Sequence, residues 1–235
     1  MNDVYTHTPP AIATVAMAGS EKRYPVRRIF CVGRNYADHA REMGRDPDRE
    51  APFFFTKFPN SIVPSGTELE YPAGTANYHY EMELVIAMDA ECFRVAAADA
   101  LKAVSGYACG LDMTRRDLQL EARAKGRPWD LGKSFEQSAV VAPLVPVSSA
   151  GAIHSAAMTL EVNGVVRQKT NLSDMIWSSA EIISFLSQYY LLGPGDLIFT
   201  GTPAGVGAVV PGDTMYGTID GLPAVQAHVV SVSAG

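Results

Sequence analysis

Apolar residues in this chain fall into short alternating or continuous runs separated by Gly and Pro, a pattern of many strands with few helices. Residues 26–32 (VRRIFCV) read as a strand ending at Gly33. A short helix follows, with Asn35 or Asp38 as its cap and Gly44 as its close, and on it His39 and Glu42 are one turn apart. Residues 45–51 (RDPDREA) have no apolar period and read as a mobile surface loop. The aromatic run 53–60 encloses Lys57, either a buried ammonium that needs a partner or a lysine snorkelling to the surface. Pro64, Gly66, Pro72 and Gly74 mark 61–77 as turns, and 96–104 reads as a helix. Residues 106–114 form a second core strand carrying Asp112, and 114–125 a polar helix bordering a cleft. Asn163-Gly164 between two alternating runs predicts a hairpin with a type I′ turn. Ser178 and Glu181 have capping-box spacing ahead of a core helix. A strand over 197–200 leads into the glycine-rich loop 201–207, which lacks the Gly-Lys-[Ser/Thr] ending of a P-loop. That loop is either a plain turn or a nest in which backbone N–H groups and the Thr202 hydroxyl hold a small anion.

The stretch 78–84 (YHYEMEL) runs directly into an apolar, β-branched strand tail. Strand alternation turns His79, Glu81 and Glu83 to one face. Two carboxylates near a buried strand repel unless a cation lies between them, and hard divalent cations favour such oxygen ligands. A half-exposed strand edge facing water accounts for the same residues.

Composition narrows the field. With 235 residues, 47% hydrophobic and 19% charged, the chain is long enough and apolar enough for a globular core. A net charge of −6 with no basic block argues against nucleic acid as a partner. No apolar run reaches the roughly 20 residues that cross a bilayer, and residues 11–19 lack the basic flank of a signal peptide. Cys31, Cys92 and Cys109 are odd in number and widely spaced, which suits reduced thiols and a cytoplasmic location. We expect residues 1–25 to be an arm or extra strand and 26–235 a single catalytic domain.

Taken in order, the motifs Gly33-Arg34-Asn35-Tyr36-Ala37-Asp38-His39, Lys57, His79-Tyr80-Glu81-Met82-Glu83, Leu111-Asp112-Met113-Thr114-Arg115-Arg116-Asp117, Lys133-Ser134-Phe135 and Thr200-Gly201-Thr202-Pro203-Ala204-Gly205-Val206-Gly207 resemble the fumarylacetoacetate hydrolase family, in particular its shorter members. The resemblance spans about residues 26–230. It implies a β-rich α+β fold, a mixed β-sheet roll around a cleft with a few short helices and a mobile lid, assembled as a homodimer. It implies Mg²⁺ or Mn²⁺, with Ca²⁺ as a substitute, on Glu81, Glu83 and Asp112. His39 and Glu42 match the catalytic pair on the lid, and Lys133 a lysine beside the reacting carbonyl. Lys57, Arg116, Gln119 and Thr202 match positions that contact substrate or support the site, while His79 supports the centre without ligating metal. The implied chemistry is hydrolysis of a 2,4-diketo acid, fumarylpyruvate foremost, in aromatic catabolism by the gentisate pathway. Acylpyruvase, oxaloacetate decarboxylase or 2-hydroxy-diene-dioate isomerase activity on the same metal site is the alternative. A fumaryl group carries a second carboxylate, for which Arg34, Arg41, Arg45, Arg116, Arg123 and Arg127 are candidates. A solvated helix face explains those arginines equally well. A catalytically silent relative would have lost one of these side chains, and none is missing.

Overall fold

The strand Met82–Met88 is buried along its whole length and forms the axis of the fold. The computed structural model describes residues 5–42 and 50–232, with the backbone alone for residues 40–42. On one side of the axis lie Asp196–Phe199, Arg28–Gly33 and Phe53–Lys57; on the other lie Val104–Asp112, Ala139–Val141 and Ile62–Pro64. Asp196–Phe199 runs parallel to Arg28–Gly33, and Ala139–Val141 parallel to Ile62–Pro64, within an otherwise antiparallel sheet. Alternation divides the central strand between two cores. Met82, Leu84, Ile86 and Met88 enter the larger one, and Val85 and Ala87 pack with Cys31, Ala108 and Phe199 in the smaller.

A five-stranded sheet closes the larger core, in the order Val165–Asn171, Ala157–Val162, Thr214–Ile219, Val225–Val230, Thr67–Glu70. The helix Ser179–Leu186 adds Ile182, Ile183 and Leu186, and its start carries the reciprocal Ser178–Glu181 capping box. The hairpin turn has Asn163 and Gly164 at φ of 53° and 75°, the left-handed pair that a type I′ turn requires. The fold is thus the expected β-rich α+β arrangement of mixed sheets with short helices. Among the described residues no helix is long and apolar enough to cross a membrane. All three cysteines are buried free thiols.

The structure departs from the sequence reading in several places. Residues 78–88 are not one strand. The chain breaks at Glu81, and Tyr78–Tyr80 joins Thr114–Arg115 and Gly207–Ala208 in a separate three-stranded sheet. The turn-rich stretch 61–77 contains two strands, because Ile62–Pro64 and Thr67–Glu70 find parallel partners far away in sequence. The helix expected over 96–104 is a single α-turn, Ala97–Ala100, that tightens into a 3₁₀ turn, Leu101–Ala103. Within residues 1–25, Thr14–Ala16 pairs with Arg23–Pro25, and the Ala18 N–H donates to the Leu144 carbonyl at 2.8 Å. A helix does follow Gly33, at Ala37–Glu42. Gly44 and most of the loop expected over 45–51, with that part of the expected lid, lie outside the described residues.

Candidate active site

Sheet register gathers three carboxylates at one end of the central strands. Glu83 pairs with Gly110, and the Asp112 N–H donates to the Glu81 carbonyl at 2.8 Å. Carboxylate oxygens of Glu81, Glu83 and Asp112 consequently lie within 4.8 Å of one another. All three residues are buried, which removes the water-facing edge as an explanation. His79 is not part of this group: its Nε2 meets Asn77 Oδ1 at 2.8 Å, and Arg116 Nε approaches its Nδ1 at 3.4 Å. Burial, then the Arg116 charge, pull the His79 pKa down to about 4, so the ring is neutral near pH 7.

Lys57, Lys133 and Arg116 offset the clustered negative charge, but unevenly. Lys133 Nζ bridges Glu81 Oε2 at 2.6 Å and Asp112 Oδ2 at 2.8 Å, and also donates to Thr114 Oγ1 at 2.7 Å. Burial opposes its charge, yet Asp112 and Glu81 hold its pKa above the ordinary lysine value, so it stays an ammonium. Lys57 is buried rather than snorkelling, and its Nζ lies 2.8 Å from Asp112 Oδ1. Lys57 also donates to the Met113 and Lys133 carbonyls. Arg116, on the first turn of the helix Arg116–Ala124, donates to Glu81 and to Gln119. Burial alone would raise the Glu81 pKa, but Lys133 and Arg116 hold it well below the usual carboxylate range.

Glu83 differs. It accepts the Gly201 N–H at 2.6 Å and forms no ion pair among the described residues, although the Lys133 charge reaches it. Burial, followed by repulsion from Asp112 and Glu81, drives its pKa well above the ordinary value. Asp112 Oδ1 receives no aligned hydrogen bond despite its nearness to Lys57. A buried all-oxygen donor set with one unbalanced carboxylate and one unsatisfied lone pair fits a hard divalent cation. Glu81, Glu83 and Asp112 are the residues that would hold it.

A narrow cleft opens on Glu81 and Glu83, and Arg34, His39, Gln119, Arg123, Lys133 and Thr202 are among its other lining residues. His39 is buried at the edge of this group. The Glu42 and Arg41 side chains, and the whole of Arg45, lie outside what is described. Arg127 is absent from the lining, whereas Arg34, Arg116 and Arg123 belong to it. The glycine-rich loop does hold an anion, but it is the chain's own Glu83. The Thr202 hydroxyl accepts a hydrogen bond from Gln168 Nε2 at 2.8 Å.

Sequence reasoning missed Gln168 and Asn35. Gln168 is buried on an otherwise exposed hairpin strand, where it accepts the Met82 N–H and donates to Thr202 and the Pro203 carbonyl. Asn35 does not cap a helix through its side chain. It ties the strand end to the Thr200 carbonyl and to both backbone groups of Trp177. A polar residue in a polar strand, as at Gln168, or in a loop, as at Asn35, gives no hint of burial, so neither role had a local signal.

Fold and site together define a metal-dependent hydrolase. Residues 28–230 match the family described as fumarylacetoacetate (FAA) hydrolase, C-terminal. The chain belongs to the fumarylacetoacetate hydrolase family. It is 51% identical over 189 residues to fumarylpyruvate hydrolase of a Ralstonia species, a match covering 80% of this chain and 98% of that one. It is 44% identical over 196 residues to the mitochondrial oxaloacetate tautomerase FAHD1 of Homo sapiens, covering 83% and 88% respectively. The crystal structure of Pseudomonas aeruginosa fumarylpyruvate hydrolase in complex with Mn²⁺ and pyruvate superimposes with a TM-score of 0.95 at 50% identity, covering 97% of this chain and all (100%) of the other.

Proposed function

We propose that the protein hydrolyses fumarylpyruvate to fumarate and pyruvate, using Mg²⁺ or Mn²⁺ held by Glu81, Glu83 and Asp112. The observation that carries this reading is the buried carboxylate trio, two of whose members, Glu81 and Glu83, line a cleft with arginines and Lys133 on its walls. When bound, the cation supplies a Lewis acid that polarises the keto-acid end and takes up negative charge as the pyruvyl fragment departs. The remaining work falls to side chains. His39 accepts a proton from the attacking water, with Glu42 as its partner on the strength of the sequence. The hydroxyl adds to the acyl carbonyl, and the Lys133 ammonium stabilises the charge that gathers on that oxygen. Breaking the carbon–carbon bond returns the electron pair to the pyruvyl methylene carbon, and the proton taken from water completes pyruvate there. Arg116, Gln119 and Thr202 orient the substrate, and Lys57 fixes Asp112. The same proposal includes a homodimer acting in the cytoplasm in aromatic catabolism by the gentisate route, consistent with an acidic chain containing buried free thiols.

A second reading, keto–enol exchange of oxaloacetate, draws on the 44% identity to an oxaloacetate tautomerase. It needs the same cation and a proton-transfer group but no attacking water. Absorbance assays with fumarylpyruvate, acetylpyruvate and oxaloacetate, with Mg²⁺ and after chelation, separate the two. The expected result is metal-dependent loss of the fumarylpyruvate chromophore with equal release of pyruvate. Turnover of oxaloacetate alone would overturn the hydrolase reading.

A further inference from the structure

Among the described residues four non-glycine positions have positive φ, and Arg34, at φ 60°, is the one of these that lines the cleft. An unbranched residue held in the left-handed region costs about 1–3 kcal/mol and persists where its surroundings over-determine it, commonly at functional sites. Here the surroundings are specific. The Phe53 ring lies so close against Gly33 that a Cβ there would fall 2.0 Å from Phe53 Cζ. The Arg34 guanidinium then sits 5.0 Å from the centre of that ring. Trp129 meets Phe53 edge-on at 5.2 Å and Phe55 at 5.7 Å, giving the cleft an aromatic wall. The backbone strain therefore has a visible result: a guanidinium seated on an aromatic face over an apolar slot.

The other arginines suit a distal ligand less well. Arg116 is buried and committed to Glu81 and Gln119. Arg123 lines the inner cleft, but not the wider mouth bounded by Phe53, Phe55, Pro128 and Trp129, which Arg34 also lines. We propose that Arg34 is the specificity-determining residue that receives the far carboxylate of a dicarboxylic acyl group, with the planar carbon linker lying along the Phe53–Trp129–Phe55 wall. A planar guanidinium matches a carboxylate by two parallel hydrogen bonds, which a flexible ammonium does not reproduce.

This inference rests on the hydrolase reading, and its test keeps the two apart. The kcat/KM ratio of fumarylpyruvate to acetylpyruvate, whose acyl group ends in a methyl, is measured for wild type, Arg34→Met, Arg34→Lys, Arg34→Gly and Arg123→Met. The ratio is expected to fall about 10- to 100-fold in Arg34→Met, mainly through KM, as the loss of charge-assisted hydrogen bonds implies. Partial recovery is expected in Arg34→Lys. Arg34→Gly removes the backbone strain along with the guanidinium, so it should melt no lower than wild type and still lose the ratio, which separates recognition from misfolding. An unchanged ratio in Arg34→Met, or a comparable fall in Arg123→Met alone, would overturn the role of Arg34. A wild-type enzyme that cleaves acetylpyruvate but not fumarylpyruvate would overturn the hydrolase reading itself.

Discussion

The Gly201 N–H donates to Glu83 Oε2 at 2.6 Å, so the glycine-rich loop is a clamp on a candidate metal ligand. Gly201 has a φ of 96°, and a Cβ there would approach Asn35 Cβ to 2.8 Å. Gly201→Ala must therefore shift the loop and release Glu83. Affinity for Mn²⁺ is expected to drop 10- to 100-fold, roughly the loss seen when a group supporting a metal ligand is removed. Calorimetric titration of the purified variant checks it; unchanged affinity would show that Glu83 needs no clamp.

Metal binding should also register in stability. A ligand that binds only the folded state stabilises it by RT ln(1 + [L]/Kd), about 2.7 kcal/mol at a hundredfold excess over Kd. Wild type should melt higher with Mg²⁺ or Mn²⁺ than after chelation. Glu83→Gln, nearly isosteric, should remain folded and lose that shift. A Glu83→Gln variant with a full metal-induced shift would remove Glu83 from the centre.

His39→Ala is expected to lower kcat by roughly 10²-fold or more, the usual scale for a group that moves a proton in the transition state. Metal content, measured by atomic emission, should stay at the wild-type level. Loss of metal together with activity would instead make His39 a ligand or a support.

Lys57 and Asp112 are both buried and face each other at 2.8 Å. Lys57→Met removes one member of a buried pair along with donors to two carbonyls, and should cost about 3–5 kcal/mol in denaturant unfolding. A cost near zero would mean that Lys133 alone balances Asp112.

Asp196 carries a different kind of pair. Burial would raise its carboxyl pKa, but hydrogen bonds from Arg28 and Arg27 overcome this and hold it below the ordinary value. A depressed carboxylate stabilises the fold above its unfolded pKa of about 3.9, and that contribution fades as pH falls through the lower folded value. Asp196→Asn should therefore lose stability at neutral pH and show a shallower acid-side decline than wild type, measured by melting between about pH 2 and 7. Parallel acid limbs in the two proteins would exclude Asp196 as a source of the decline. Arg27→Ala alone should cost under about 1 kcal/mol, since that side chain is half exposed.

Much of the centre was legible because its signals are local. Glu81 and Glu83 stand at the head of an apolar run, Asp112 ends another, and Asn163-Gly164 and Ser178–Glu181 carry their own turn and cap chemistry. The rest depended on pairing at a distance. Ile62–Pro64 and Thr67–Glu70 are strands only because Ala139–Val141 and Val225–Val230 lie beside them. The even choice over Lys57 was settled by Asp112, 55 positions on, and Gln168 meets Met82 across 86 residues of chain. The Glu81 break was invisible too, since a strand that changes sheets keeps its alternating letters.

Asp112 reaches its two companions only because its strand is hydrogen-bonded to theirs in one register. A slip of one residue would turn it to the opposite face. The anchoring amides of residues 82–88 and 104–112 sit in the most deeply packed layers and should exchange with deuterium only on global unfolding, whereas the helix bearing His39 is only six residues long and should open locally. The protein would then carry a rigid anvil beneath a separately adjustable hammer, so that, on the proposed mechanism, substitutions in the outer helix would retune turnover without dismantling the proposed metal seat.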